Sequence, residues 1–191
     1  MYPQMPLPAQ VPADANEEGD GIVIGDGPVT TDSYIDFQCP FCRMFEEASG
    51  PMLDGMVADG RITLIYHPMA FLDAMSTNRY STRASAASGC ASDGGKFSEY
   101  LYTLFANQPS EGGPGLSDEE LIALGLQIGL TDAFAGCVRG GVHLDWPPYV
   151  TARAAERGVS TTPTVLVEGV VVRPHPGLIR TAVSAALHSG V

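Results

Sequence analysis

Two cysteines separated by two residues, Cys39-Pro40-Phe41-Cys42, are the side chains of this sequence best suited to chemistry. They follow directly on 29–37 (VTTDSYIDF), a β-branched and aromatic run that reads as a strand. Met44, Phe45, Ala48, Met52, Met56 and Val57 then recur at roughly helical spacing. A cysteine at such a strand-to-helix junction meets unpaired N–H groups and a partial positive charge. Both stabilise thiolate, the nucleophilic form of sulfur. Two intervening residues let both sulfurs sit in the first helical turn and bridge. Pro40 suits that turn, because its missing N–H costs nothing there. In this reading Cys39 is the exposed nucleophile and Cys42 the resolving thiol tucked behind it.

A CxxC is also half a zinc site, and zinc needs further ligands, commonly a second closely spaced pair. Cys90 and Cys137 are far apart in sequence, and His67, His143, His175 and His188 show no i,i+4 pairing. Redox chemistry is therefore the expected reading, with no metal, nucleotide or organic cofactor. A zinc-stabilised interaction module is the alternative from a different class.

The elements that must position this pair follow from patterning. Residues 22–24 form a short apolar run ended by Gly25-Asp26-Gly27-Pro28. Pro51 predicts a kink or break in the helix after Cys42. Residues 61–67 (RITLIYH) read as a central strand buried on both faces. From about 75 to 158 the chain reads as helical. Tyr80, Ala84, Ala87 and Ala91 share one face, and Phe97, Leu101, Leu104 and Phe105 another. After a Pro/Gly loop at 108–115, Ser117 and Glu120 have capping-box spacing, and Thr131 is placed to cap a further short helix. A last insert helix fits 149–157. Two β-branched runs, 164–167 and 170–172, flank Glu168-Gly169, a two-residue hairpin turn, and 177–187 is a final amphipathic helix. Strands bracket helices, so the fold class is α/β with an all-helical insertion. The expected division is a flexible Pro- and acid-rich leader over 1–20, an N-terminal part with the CxxC over 21–74, the insertion over 75–158, and a C-terminal part over 159–191.

Composition narrows the partners. The chain has 191 residues, 45% hydrophobic and 17% charged, an ordinary globular mix. The formal net charge of −12 and the absence of any Lys/Arg run argue against nucleic acid and anionic membrane. Residues 1–20 lack the basic start and apolar run of a signal peptide. This leaves two readings open: a cytoplasmic protein, or an exported one whose signal or anchor lies outside this chain.

The sequence resembles the DsbA-like branch of the thioredoxin superfamily. Asp36-Phe37-Gln38-Cys39-Pro40-Phe41-Cys42 and Thr161-Thr162-Pro163-Thr164-Val165 carry the resemblance, with the helical block between them, over roughly residues 22–188. It is similar above all to the actinobacterial extracytoplasmic group, which often pairs CPxC with a second disulfide. The resemblance implies a thioredoxin-like fold and a cis peptide before Pro163 on the loop facing the CxxC. Thr162 is then placed to offer its backbone to an extended substrate. It also implies protein thiol–disulfide exchange on reduced, unfolded substrates by a monomer outside the cytoplasm, reoxidised by a quinone-linked membrane partner. Reductase or isomerase work on the same site is the alternative.

Two departures stand out. Phe41 replaces the histidine often found between such cysteines, so a less stabilised thiolate and a less oxidising pair are expected. Ser33 stands where many relatives carry an acid, which leaves Asp36 as the nearest acid able to relay the Cys42 proton if buried. Cys90 and Cys137 fall on inward faces of insert helices, and a bond between them would contribute roughly 4 kcal/mol by loop-closure entropy. Two separate buried thiols are the other reading. An oxidoreductase of this kind needs apolar surface beside its sulfurs, for which Phe41 is the first candidate and Met69, Phe71 and Trp146 are weaker ones. His67 and His175 are candidates for groups near the site.

Overall fold

The computed structural model describes residues 5–190; the leader residues before these, Pro3 among them, lie outside the described residues. Five strands form one sheet: β1 (Ile22–Ile24), β2 (Val29–Ile35), β3 (Ile62–Pro68), β4 (Thr164–Val167) and β5 (Val170–Val172). Their spatial order is β1-β3-β2-β4-β5. Only β2 and β3 run parallel; the other three pairs are antiparallel. A parallel pair needs a crossover between its strands. Helix α1 (Pro40–Ala58) supplies it, and therefore begins where β2 ends. Val29, Ile35, Ile62 and Leu64 are fully buried, as a central pair covered on both faces requires.

Helix α1 runs unbroken through Pro51, where a kink or break was expected. Its face of Cys42, Phe45, Ser49, Leu53 and Met56 is buried against the body of the protein. That packing, more than local propensity, holds the helix together.

The insertion holds α2 (Tyr80–Asp93), α3 (Phe97–Ala106), α4 (Asp118–Gln127), α5 (Asp132–Arg139) and α6 (Trp146–Glu156), after a short 3-10 turn at Asp73–Met75. Helix α2 is its axis. Small Ala, Ser and Gly side chains bury it on nearly all sides, and α3, α4, α5 and α6 all pack on it. Ser117 and Glu120 form the expected capping box on α4. Thr131 occupies the N-cap of α5 but its side chain makes no capping bond there. Glu168 and Gly169 both take positive φ, 49° and 74°, as a tight two-residue hairpin turn demands. Helix α7 (Pro176–His188) closes the fold against β2, β4 and β5.

The flexible leader expected over 1–20 is corrected for its later residues, which are docked. Ala13 N–H donates to Asp93 Oδ1 at 2.8 Å, Trp146 Nε1 to the Gly19 carbonyl at 2.8 Å, and Tyr149 Oη to the Glu18 carbonyl at 2.7 Å. Asp20 is fully buried, with Arg157 Nη1 at 2.8 Å. The segment has too little apolar area of its own to fold. Its polar groups instead find partners on α2 and α6, which composition alone does not reveal.

Candidate active site

Three residues, Asp36-Phe37-Gln38, carry the chain from the end of β2 to Cys39, the N-cap of α1. Cys39 has extended backbone angles (φ −77°, ψ 116°), its N–H donates to the Asp36 carbonyl at 3.0 Å, and Pro40 opens the helix. Pairing of β2 with β4 sets Tyr34 opposite Thr164. That register delivers the preceding residues, Thr162 and Pro163, to the mouth of the CxxC. The Thr162–Pro163 peptide is cis. The Cys39 thiol donates to the Thr162 carbonyl across 3.5 Å.

Both cysteines are reduced and both are buried. The expectation of an exposed Cys39 is corrected: it keeps only 4% of its surface, and Cys42 none. The loop at Thr162 covers the sulfur that the helix end would otherwise present. Burial is thus shared, and the two sulfurs differ in electrostatics. The Cys42 thiol, donating to Cys39, outweighs burial and brings the Cys39 thiol down to about 6; the Thr162 side chain and the N–H groups of Cys42 and Phe41 add to this. Burial, reinforced by the neighbouring Cys39, pushes Cys42 well above the usual thiol range.

Asp36 is fully buried beneath this turn. Its Oδ1 accepts from Gln38 N–H at 2.9 Å and from the Ser81 hydroxyl at 2.7 Å, and its Oδ2 from Leu72 N–H at 2.8 Å. Burial outweighs these bonds and raises the carboxyl to about 6. The carboxyl therefore ties the turn to the loop after β3 and to α2. Ser33 is buried, with no hydrogen-bond partner for its hydroxyl among the described residues.

Two further groups here lie outside the motif. Gln108, in the loop after α3, donates from Nε2 to the Phe37 carbonyl at 2.8 Å and to the Cys39 carbonyl at 3.0 Å. Glu46 sits one helical turn after Cys42, buried, with Tyr66 Oη donating to its Oε2 at 3.0 Å and no partner for Oε1 among the described residues. Burial lifts its carboxyl to about 8. The i,i+4 spacing from Cys42 was the available clue to Glu46; Gln108 had none, because its role depends on where a long loop folds.

The apolar surface is at Phe41 and Met44, 67% and 61% exposed on the first turns of α1, with Phe71 also exposed. Met44, which helical spacing places on the apolar stripe of α1, is instead on its surface. Met69 and Trp146 are core residues, which removes them as surface candidates. His67 is buried in β3, stacked on Tyr34 with ring centroids 4.1 Å apart, and its Nε2 lies 2.9 Å from Asp32 Oδ1. His175 caps α7. Cys90 and Cys137 form a disulfide joining α2 to α5.

A family model described as Thioredoxin matches residues 17–180. The chain belongs to the thioredoxin family. Within it, the chain is similar to the structure of reduced disulfide bond oxidoreductase DsbG from Mycobacterium tuberculosis, with 28% identity, 88% of each chain covered and a TM-score of 0.79. It is also similar to oxidised DsbA from the same organism, at 26% identity and TM-score 0.75, covering 90% of this chain and all of that one. The MdbA thiol-disulfide oxidoreductase of Actinomyces oris, at 19% identity, covers 92% of this chain and 89% of its own, and shares the fold with a TM-score of 0.74. The serine/threonine-protein kinase PknE of Mycobacterium tuberculosis is 32% identical over 146 residues, 72% of this chain and 26% of that protein. This thioredoxin-family chain thus spans about a quarter of that curated relative's length, and the kinase name describes the longer protein. The mixed sheet with seven helices among the described residues is the DsbA-like form of the fold, shared with the structures of these thiol–disulfide oxidoreductases.

Proposed function

We propose that the chain introduces disulfides into reduced, unfolded proteins outside the cytoplasm, through a Cys39–Cys42 redox pair. The placement of the Cys39–Cys42 pair at the start of α1, with Cys39 Sγ 3.5 Å from the Thr162 carbonyl beside cis-Pro163, carries this reading. The thiols are displaced in opposite directions, Cys39 down to about 6 and Cys42 well above its usual range. In the oxidised pair, a substrate thiolate attacks Cys39. The Cys39–Cys42 bond breaks, and Cys42 leaves as thiolate and takes a proton. A second substrate thiolate then attacks the substrate sulfur of the mixed disulfide, and Cys39 leaves in its stabilised form. The substrate loses two electrons and two protons, and the pair gains the electrons. A quinone-linked membrane partner reoxidises it.

Other residues support that cycle. Pro40 opens the helix whose N–H groups face the sulfur. Thr162 presents backbone to an extended substrate, and Pro163 adds no N–H donor beside the sulfurs. Phe41, with Met44, provides apolar footing for unfolded chain. Asp36 fixes the turn and carries the proton to and from Cys42. Its raised value near 6 suits that task near neutral pH. The enzyme acts as a monomer. A disulfide already formed within the insertion suits an oxidising compartment. Among the described residues no helix is long and apolar enough to cross a membrane.

Stabilisation of the Cys39 thiolate favours the reduced form. This contribution is present above about pH 9 and is lost as pH falls through 6. Equilibration against glutathione buffers tests the direction of catalysis. A potential around −120 to −180 mV is expected of a disulfide donor. A value near −270 mV would make the pair a reductant instead.

A further inference from the structure

Cys90 and Cys137 do not stand alone. A ring nitrogen of His143 and the two sulfurs lie within 4.8 Å of one another. His143 is buried, and its Nε2 is 2.7 Å from Asp93 Oδ2. In the neutral ring that bond fixes the proton on Nε2 and leaves the Nδ1 lone pair free. Nδ1 is buried and finds no partner among the described residues. A buried imidazole nitrogen without a partner is costly in a finished structure and calls for a ligand. A carboxylate holding the far N–H of a histidine is also the usual support of a metal-bound imidazole. Cys90, Cys137 and His143 border a cavity of about 80 Å³ on one side of the disulfide, room for a water beside an ion. Arg83, on the same wall, has its charge engaged by Asp118 at 2.7 Å.

The geometry points to a redox-gated zinc site: with the disulfide reduced, Cys90, Cys137 and His143 bind one Zn²⁺, Asp93 orients the histidine, and a water fills the fourth position. Tetrahedral zinc with bonds of roughly 2.0–2.3 Å sets its ligand atoms about 3.3–3.8 Å apart, so the two sulfurs must move apart to that distance once their bond is broken. The electron balance needs a dithiol reductant. It forms its own disulfide while the Cys90–Cys137 bond breaks, and two electrons and two protons pass to the cysteines. Zn²⁺ then displaces both protons, keeps its charge state and is held by two thiolates and a neutral imidazole. Cys137 is only partly buried, and a second cavity borders the disulfide beside Asp93, so a reductant has two approaches. The site makes no use of Cys39 or Cys42.

The test uses the full chain carrying Cys39→Ser and Cys42→Ser, which leaves Cys90 and Cys137 as its only thiols. Zn²⁺ is titrated against a chromophoric chelator, and Co²⁺ is added separately to read thiolate-to-metal absorption. One metal per chain is expected after phosphine reduction and none before it, with two protons released per zinc. Asp93→Asn is expected to weaken binding by about 10- to 100-fold. His143→Ala is expected to weaken it at least as much. No binding by the reduced chain, or equal affinity in His143→Ala, overturns the site. Circular dichroism covers the case in which reduction unfolds the chain. Refolding on zinc that depends on His143 then supports the site, and failure to refold overturns it.

Discussion

The first cysteine of each pair is almost equally hidden, Cys39 4% and Cys90 3% exposed, yet the two pairs are held in opposite ways. Cys39 and Cys42 share one turn of α1, at a helix start where backbone N–H groups and a facing thiol draw one sulfur toward thiolate. Cys90 and Cys137 are 47 residues apart and are brought together by packing of α2 on α5. The first pair is set by local chain geometry and is electrically lopsided. The second closes a long loop in the insertion. Burial does not tell a reactive pair from a bracing one. The partners of each sulfur do, together with the length of chain the bond encloses.

Substitutions can break or sharpen that contrast. The largest effect is expected from Cys39→Ser, which should reduce dithiol oxidation and insulin reduction to background. Cys42→Ser should instead accumulate a mixed disulfide on Cys39, visible by mass spectrometry. Removing the other pair with Cys90→Ala and Cys137→Ala should leave the rate of exchange at the CxxC intact and cost about 2–5 kcal/mol in urea unfolding. Loss of exchange by that variant while still folded would erase the distinction.

A pH-dependent change follows for Glu46→Gln. Glu46 stays protonated in the folded chain up to about pH 8, whereas in the unfolded chain it ionises at the ordinary value of 4.5. The unfolded state then binds fewer protons, so native stability falls as pH rises from about 4.5 to 8. Glutamine removes that fall. Stability should be nearly unchanged at pH 4 and rise by a few kcal/mol at pH 8, as thermal melts across pH would show. The smallest effect is expected at Phe41→Ala. Losing its exposed ring should raise KM for an unfolded protein substrate by roughly ten-fold, equivalent to about 1.4 kcal/mol of apolar contact, and leave a small dithiol unaffected.

Much of this was legible in the sequence because it is local. The CxxC after a β-branched run, Pro40 at the first turn, the Ser117–Glu120 box and the Glu168-Gly169 hairpin each need only a few neighbouring residues to be read. Pro163 was legible through its motif. The misreadings have a common physical origin. Trp146 and Met69 have side chains that suit either a groove or a core, and their tertiary neighbours decided for the core. Residues 11–20 are poor in apolar content, and apart from Val11, which packs on the core, their order comes from carbonyls and charges answered by Trp146, Tyr149 and Arg157. His143 showed no metal-ligand spacing, and only the packing of α2, α5 and the following turn brings it to the sulfurs.

Gln108 spends both N–H groups of one amide on the main chain of the CxxC turn, from a position 69 residues beyond Cys39. The reacting sulfur thus has an adjustment screw in another part of the molecule. A loop that no longer placed this amide would leave the Phe37 and Cys39 carbonyls without that donor. For anyone wishing to retune this enzyme, that loop offers a handle that leaves every cysteine in place.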